Sequence, residues 1–172
     1  MIRGGCRGRE KYVDISPPDS FFGLHTKPTI NPAPFPDQAI GRRLVELYFE
    51  HANPQIPILH RGDFMAVFAR AYATDEQSPR ELYFLNIVFA IGAGIMYEDK
   101  RRTDSTGSTV QKPDVPVEQK QPEEYHSAAM QHLESVLGSM PASDHSTVGG
   151  GLEELQAVLL LAGFALLRPV GE

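Results

Sequence analysis

Cysteine is almost missing: Cys6 is the single one among 172 residues. One thiol can neither close an internal disulfide nor assemble a cysteine zinc site, and a reducing compartment is the simpler setting for such a chain. A surplus of positive charge is missing too. Lys and Arg number 16 against 22 Asp and Glu, a formal net charge of -6, which disfavours a fold-wide basic surface for nucleic-acid phosphates. No apolar run follows Met1-Ile2-Arg3-Gly4-Gly5-Cys6-Arg7, so no secretory signal is expected. The two most apolar stretches, Leu82 to Tyr97 and Ala157 to Leu167, fall short of the roughly 18 to 20 apolar residues of a membrane span, and Asn86 interrupts the first. Buried core helices are expected from them, and no membrane.

What is present is an ordinary globular composition, 41% hydrophobic and 22% charged, at the length of one domain able to bury about two thirds of its unfolded surface. Organisation along the chain is uneven. Residues 1–36 hold Pro17, Pro18, Pro28, Pro32, Pro34 and Pro36 and read as a proline-rich linker, partly basic through Arg3, Arg7, Arg9 and Lys11. Residues 37–172 read as the helical part.

From Asp37, a possible cap, the residues Ile40, Leu44, Leu47, Tyr48 and His51 fall on one face of a helix that Asn53-Pro54 ends. Gln55 to His60 should run extended. Phe64, Val67, Phe68 and Ala71 mark a second helix opened by Asp63 or Arg61-Gly62. Ser78, Pro79 and Glu81 form a capping-box start to a central buried helix over Leu82 to Tyr97, in which Gly92 and Gly94 make sense as places of close helix packing. Residues 99–122 lack aromatics and predict a disordered insertion. Glu123 to Leu137 predicts one helix stopped by Gly138, and Leu152 to Leu166 a last helix closed by Pro169. With no strand-like alternation the fold class is all-α, an irregular helical bundle.

Reactive constellations are scarce. The six histidines, His25, His51, His60, His126, His132 and His145, include no i, i+4 pair for a metal. His126 and His132, six apart, would face different ways on one helix. No nucleophile elbow or phosphate loop occurs, and Gly92-Ala93-Gly94 lies in an apolar helix with Tyr97 where a dinucleotide fingerprint needs its third glycine. Cys6 lies among arginines without a partner base, and Glu153 and Glu154 favour a helix start. No residue is assigned to catalysis, to a cofactor or to a metal.

One resemblance adds to this reading. Tyr48 and Phe49 at a helix end, Asn53-Pro54, the run Pro57-Ile58-Leu59-His60 and then Phe64 resemble the opening signature of the fungal-specific transcription factor domain, the middle homology region of binuclear zinc-cluster regulators. Ile87 to Ala93 with Gly92, Tyr125 with Ala128 and Ala129, and Leu155 to Ala162 with Gln156 are similar to later helices of that family. Tyr12 to Phe22 resembles a segment that precedes the domain, with Asp14 in place of a glycine. The likeness spans Tyr12 to Gly171.

The resemblance implies a non-catalytic regulatory domain acting in the nucleus on transcription by RNA polymerase II. DNA and zinc would belong to an upstream six-cysteine cluster that this chain lacks, and a dimer partner, coregulators or a small-molecule effector would be its other partners. Tyr48, Phe49, Pro54, Pro57, His60, Phe64, Gly92 and Gln156 are the motif positions, expected to act structurally. The family's domain usually continues past Pro169, so a truncated helical domain with exposed apolar surface on Leu82 to Tyr97 and Leu152 to Leu167 is expected. The alternatives are a small-molecule-binding helical domain or enzyme with Tyr48, His51 and His60 lining a pocket, and a non-functional truncated fragment.

Overall fold

The computed structural model describes residues 30–74, 76–105, 120–138 and 150–167. The basic start, Cys6, the Tyr12 to Phe22 stretch, His25, His145 and Pro169 lie outside them. Among the described residues there are six α-helices, one π-helical turn and no strand: α1 Gln38–Leu47, the π-helical turn Tyr48–Ala52, α2 Arg61–Ala73, α3 Pro79–Ser105, α4 Pro122–Met130, α5 Leu133–Leu137 and α6 Gly150–Leu167. The architecture is the all-α one expected.

Helix α3 is the axis of the bundle. Its start is the capping box read from the sequence: Glu81 N donates to Ser78 Oγ at 3.2 Å and Ser78 N to Glu81 Oε2 at 3.1 Å. From there Tyr83, Leu85, Ile87, Val88, Phe89, Ala90 and Ile91 are buried among side chains of α1, α2, α4 and α6. Full burial of each large apolar side chain contributes about 1.5–3 kcal/mol. The helix is longer than the sequence suggested and, by length and composition, could cross a membrane. Its apolar residues instead form the protein core, as expected of a central helix. It also runs past Tyr97 to Ser105, so residues 99–105, assigned to the insertion, are helical. Glu98 and Arg101 pair at 3.2 Å on that extension, and its charged residues are good helix formers that need no buried face.

Two further expectations change. Residues 30–36 are not linker but a strap laid on the bundle: Ala33 N donates to Glu124 O at 2.9 Å, Ser127 Oγ to Ile30 O at 3.0 Å and Tyr72 Oη to Pro36 O at 2.8 Å. Phe35 lies tilted on Tyr72 and edge-on to Phe89. The single helix expected over Glu123 to Leu137 is split into α4 and α5. His132 N turns back to Ala129 O at 2.9 Å and Ser135 N to His132 O at 3.1 Å, tight i→i+3 bonds that redirect the chain and bury Val136. His126 and His132 therefore do not share a helix. His126 stacks on Phe164 of α6, ring centroids 4.6 Å apart.

Glycine behaves differently at its two marked positions. A Cβ at Gly92 would press into the backbone of Leu44, 2.8 Å from its carbonyl carbon, so α1 and α3 cross there at a distance only glycine allows. A Cβ at Gly94 would meet nothing within 4 Å. Exposed apolar surface is concentrated on α6: α3 hides its core residues and leaves Tyr97 exposed, whereas on α6 Leu152, Leu155 and Leu166 remain 59%, 55% and 80% exposed.

Candidate functional site

The motif residues gather where the end of α1, the loop after it and α6 meet. Tyr48 opens the π-helical turn, in which Asn53 N donates to Tyr48 O at 2.9 Å, a bond one residue longer than an α-helical one. Tyr48 is buried, and burial pushes its phenol well above the ordinary tyrosine range. Its hydroxyl donates to Asn53 Oδ1 at 3.1 Å, and the same oxygen accepts from Leu59 N at 3.2 Å. One asparagine side chain thus ties the start and the end of the loop together. Pro54 lacks an N–H to continue the helix, and Gln55 N and Ile56 N turn back to Ala52 O at 3.1 and 3.4 Å.

Phe49 and Phe64 seal the underside of this loop. Phe49 meets Tyr48 edge-on at 5.0 Å and Phe64 at 5.6 Å between centroids, and the Arg61 guanidinium lies 5.8 Å over the Phe49 ring. His60, rather than Asp63 or Arg61-Gly62, caps α2: its Nδ1 accepts from Asp63 N at 3.4 Å. As a donor, the same nitrogen would instead meet Asp63 Oδ2, 3.1 Å away. Pro57 is exposed in the extended segment.

Helix α6 closes the arrangement. Gln156 Nε2 donates to Ile58 O at 2.9 Å, joining the last motif segment to the first. On the neighbouring turn Tyr83 Oη donates to Ala157 O at 2.8 Å, and Arg80 pairs with Glu153 at 2.8 Å. Burial pushes the Tyr83 phenol up to about 12. Arg70 forms an ion pair with Glu81, and that hydrogen bond holds the Glu81 carboxyl below its usual value.

The trio of Tyr48, His51 and His60 that the alternative reading sets around one pocket is not formed. Tyr48 and His51 line a cleft of about 240 Å³ between the π-helical turn, α3 and α6. His60 lies on a separate, open depression of about 600 Å³ with Asp63, Arg70, Arg80, Glu81 and Glu153. Gly92 lines neither; it sits at the α1–α3 crossing, next in the chain to Ile91 of the cleft wall. Asn53 reads in the sequence, with Pro54, as a helix end and part of the resemblance but not as one of the motif positions assigned to the site, and its side chain ties the loop together. A six-cysteine zinc cluster does not fit this chain, whose sequence has one cysteine, and among the described residues no three His, Cys, Asp or Glu side chains converge.

The fungal specific transcription factor domain matches residues 45–168, from the end of α1 through α6. A curated relative, the "Positive regulator of purine utilization" of Emericella nidulans, is 56% identical over 160 residues, covering 88% of this chain and 15% of the relative. The chain therefore spans a small part of the length of the curated relative it matches. No solved structure matches it. The chain belongs to the fungal specific transcription factor domain family.

Proposed function

We propose that this chain is the regulatory middle homology region of a fungal DNA-binding factor that controls transcription by RNA polymerase II in the nucleus, and that purine utilization is the process it regulates. The observation that carries this reading is 56% identity over 88% of the chain to a protein named for that regulation. Contact with DNA, and zinc with it, belongs in this reading to a six-cysteine cluster outside these residues. The net charge of -6 supports that division of labour, because a surface of this sign repels phosphate. The chain's own task is to set the output of the DNA-bound factor, through a helical bundle whose packing a coregulator, a dimer partner or a small effector biases.

A fusion experiment tests the proposal. The chain is joined to a heterologous DNA-binding domain and a reporter is read in a fungal host with and without purines. The regulatory reading expects reporter output to change severalfold relative to the DNA-binding domain alone. Identical output with and without the chain, in both conditions, would overturn it.

A further inference from the structure

We propose that the cleft bounded by the π-helical turn, the loop after it, α3 and the end of α6 is a binding site for a small, uncharged, mostly apolar ligand that carries one hydrogen-bond donor. Its size suits such a ligand: an apolar cavity of about 150 Å³ holds benzene, and this cleft offers about 240 Å³. Tyr48, Ile91 and Ile95 supply apolar wall; no acid, lysine or arginine lines it, and its one imidazole, His51, is exposed at the edge, so a charged ligand would lose its hydration inside the cleft without a buried partner. The polar edge is Gln55. Its Nε2 donates to His51 O at 2.9 Å, which fixes the amide and leaves Oε1 as the acceptor for a ligand N–H or O–H.

Two features of the backbone point the same way. A π-helical turn, a form found often at functional sites, makes one wall. Gly163 of α6 makes part of another, and a glycine within a helix costs about 1 kcal/mol relative to alanine. At Gly92 a crossing backbone explains the glycine; at Gly163 a Cβ would meet nothing within 4 Å. The missing side chain keeps the cleft open instead of admitting a neighbouring helix. Gly94, equally uncrowded, borders a smaller depression of about 160 Å³ whose rim carries Glu98, Arg101 and Glu123, charges typical of solvated surface.

Use of the site for effector response rests on the regulatory reading above, whereas ligand binding does not, and the test keeps them apart. Calorimetry of the full chain with indole and with p-cresol, each an apolar ring with one donor, should give saturable one-to-one binding at submillimolar Kd. Indole-3-acetate, its charged counterpart, should bind at least tenfold more weakly. Gly163→Leu should raise the indole Kd at least tenfold while leaving the circular dichroism spectrum and unfolding midpoint unchanged or improved. Gly163→Ala should retain binding. Gln55→Leu, at an exposed position, should also weaken indole severalfold, which keeps the proposal testable if Gly163→Leu misfolds. No saturable binding of either probe, or binding indifferent to both Gly163→Leu and Gln55→Leu, would overturn the site. A silent reporter fusion beside intact binding would overturn only the regulatory reading.

Discussion

Gln156 and Ile58 stand 98 positions apart in the chain, and a 2.9 Å hydrogen bond from the Gln156 Nε2 amide to the Ile58 carbonyl joins them. Through it α6 is fastened to the loop that Asn53 organises, so the first and last motif segments are one structural unit. A single such bond contributes about 1 kcal/mol net. Gln156→Ala is therefore expected to lower unfolding stability by about that amount in urea titrations. Asn53→Ala removes the acceptor of both Tyr48 Oη and Leu59 N, and should cost about 2 kcal/mol. Unchanged midpoints in both variants would mean that loop and helix are held by apolar packing alone.

Gly92 and Gly94 should respond oppositely to the same substitution. Gly92→Ala drives a Cβ into the Leu44 backbone, which cannot rotate away, and a loss of about 1–3 kcal/mol is expected. Gly94→Ala meets open space and should gain about 0.5–1 kcal/mol from helix propensity. Parallel thermal melts of the two variants decide it; a stabilised Gly92→Ala would contradict the crossing of α1 and α3.

Stability should fall at both ends of the pH scale, for different residues. Burial raises the Tyr83 phenol to about 12 in the folded chain, above its ordinary value of 10.0. The folded state then holds this proton more tightly than the unfolded one, so the contribution is complete below pH 10 and is lost as pH rises toward 12. Glu81 is shifted the other way, chiefly by its hydrogen bond from Arg70. Its contribution is present above the ordinary value of 4.5 and is lost as pH falls through the lowered folded value. Urea midpoints should show both losses; Glu81→Gln should reduce the acid arm, and Tyr83→Phe should reduce the alkaline arm without abolishing it, because burial also raises the Tyr48 phenol.

The exposed leucines of α6 should control solubility more than stability. Leu155 and Leu166 are 55% and 80% exposed, so Leu155→Glu with Leu166→Lys should change unfolding free energy by no more than about 0.5 kcal/mol. The soluble yield of the chain should rise, because a contiguous apolar face is reduced. A large destabilisation would show that these side chains are buried in solution.

Local signals were legible in the sequence, and contacts between distant segments were not. The capping box of Ser78 and Glu81 is closed within four residues, and the Asn53-Pro54 helix end follows from the chemistry of proline. Gly92 could be read because a glycine in an apolar helix needs a neighbour to explain it, yet Gly94 has the same local signature without that neighbour. The strap at residues 30–36 depends on Glu124, Ser127 and Tyr72, far along the chain, and its prolines alone suggest a linker. The split between α4 and α5 carries no proline or glycine to announce it. His60 was recognisable as a motif residue, but its cap on α2 depends on a side-chain geometry that spacing does not encode. At the site, Tyr48, Phe49 and Phe64 were readable as motif positions, while their edge-on packing, the Asn53 hub and the separation of His60 from the Tyr48 cleft arise from contacts that spacing does not encode.

The most direct test of the regulatory reading is replacement of the matching segment in the Emericella nidulans regulator by this chain, followed by measurement of purine utilization. Identity of 56% across that segment should let the hybrid support purine utilization close to the level of the parent, whereas a hybrid carrying Asn53→Ala with Gln156→Ala should fall well below it. A hybrid that accumulates normally but fails to support purine utilization would contradict the claim that this chain is the regulatory region of such a factor.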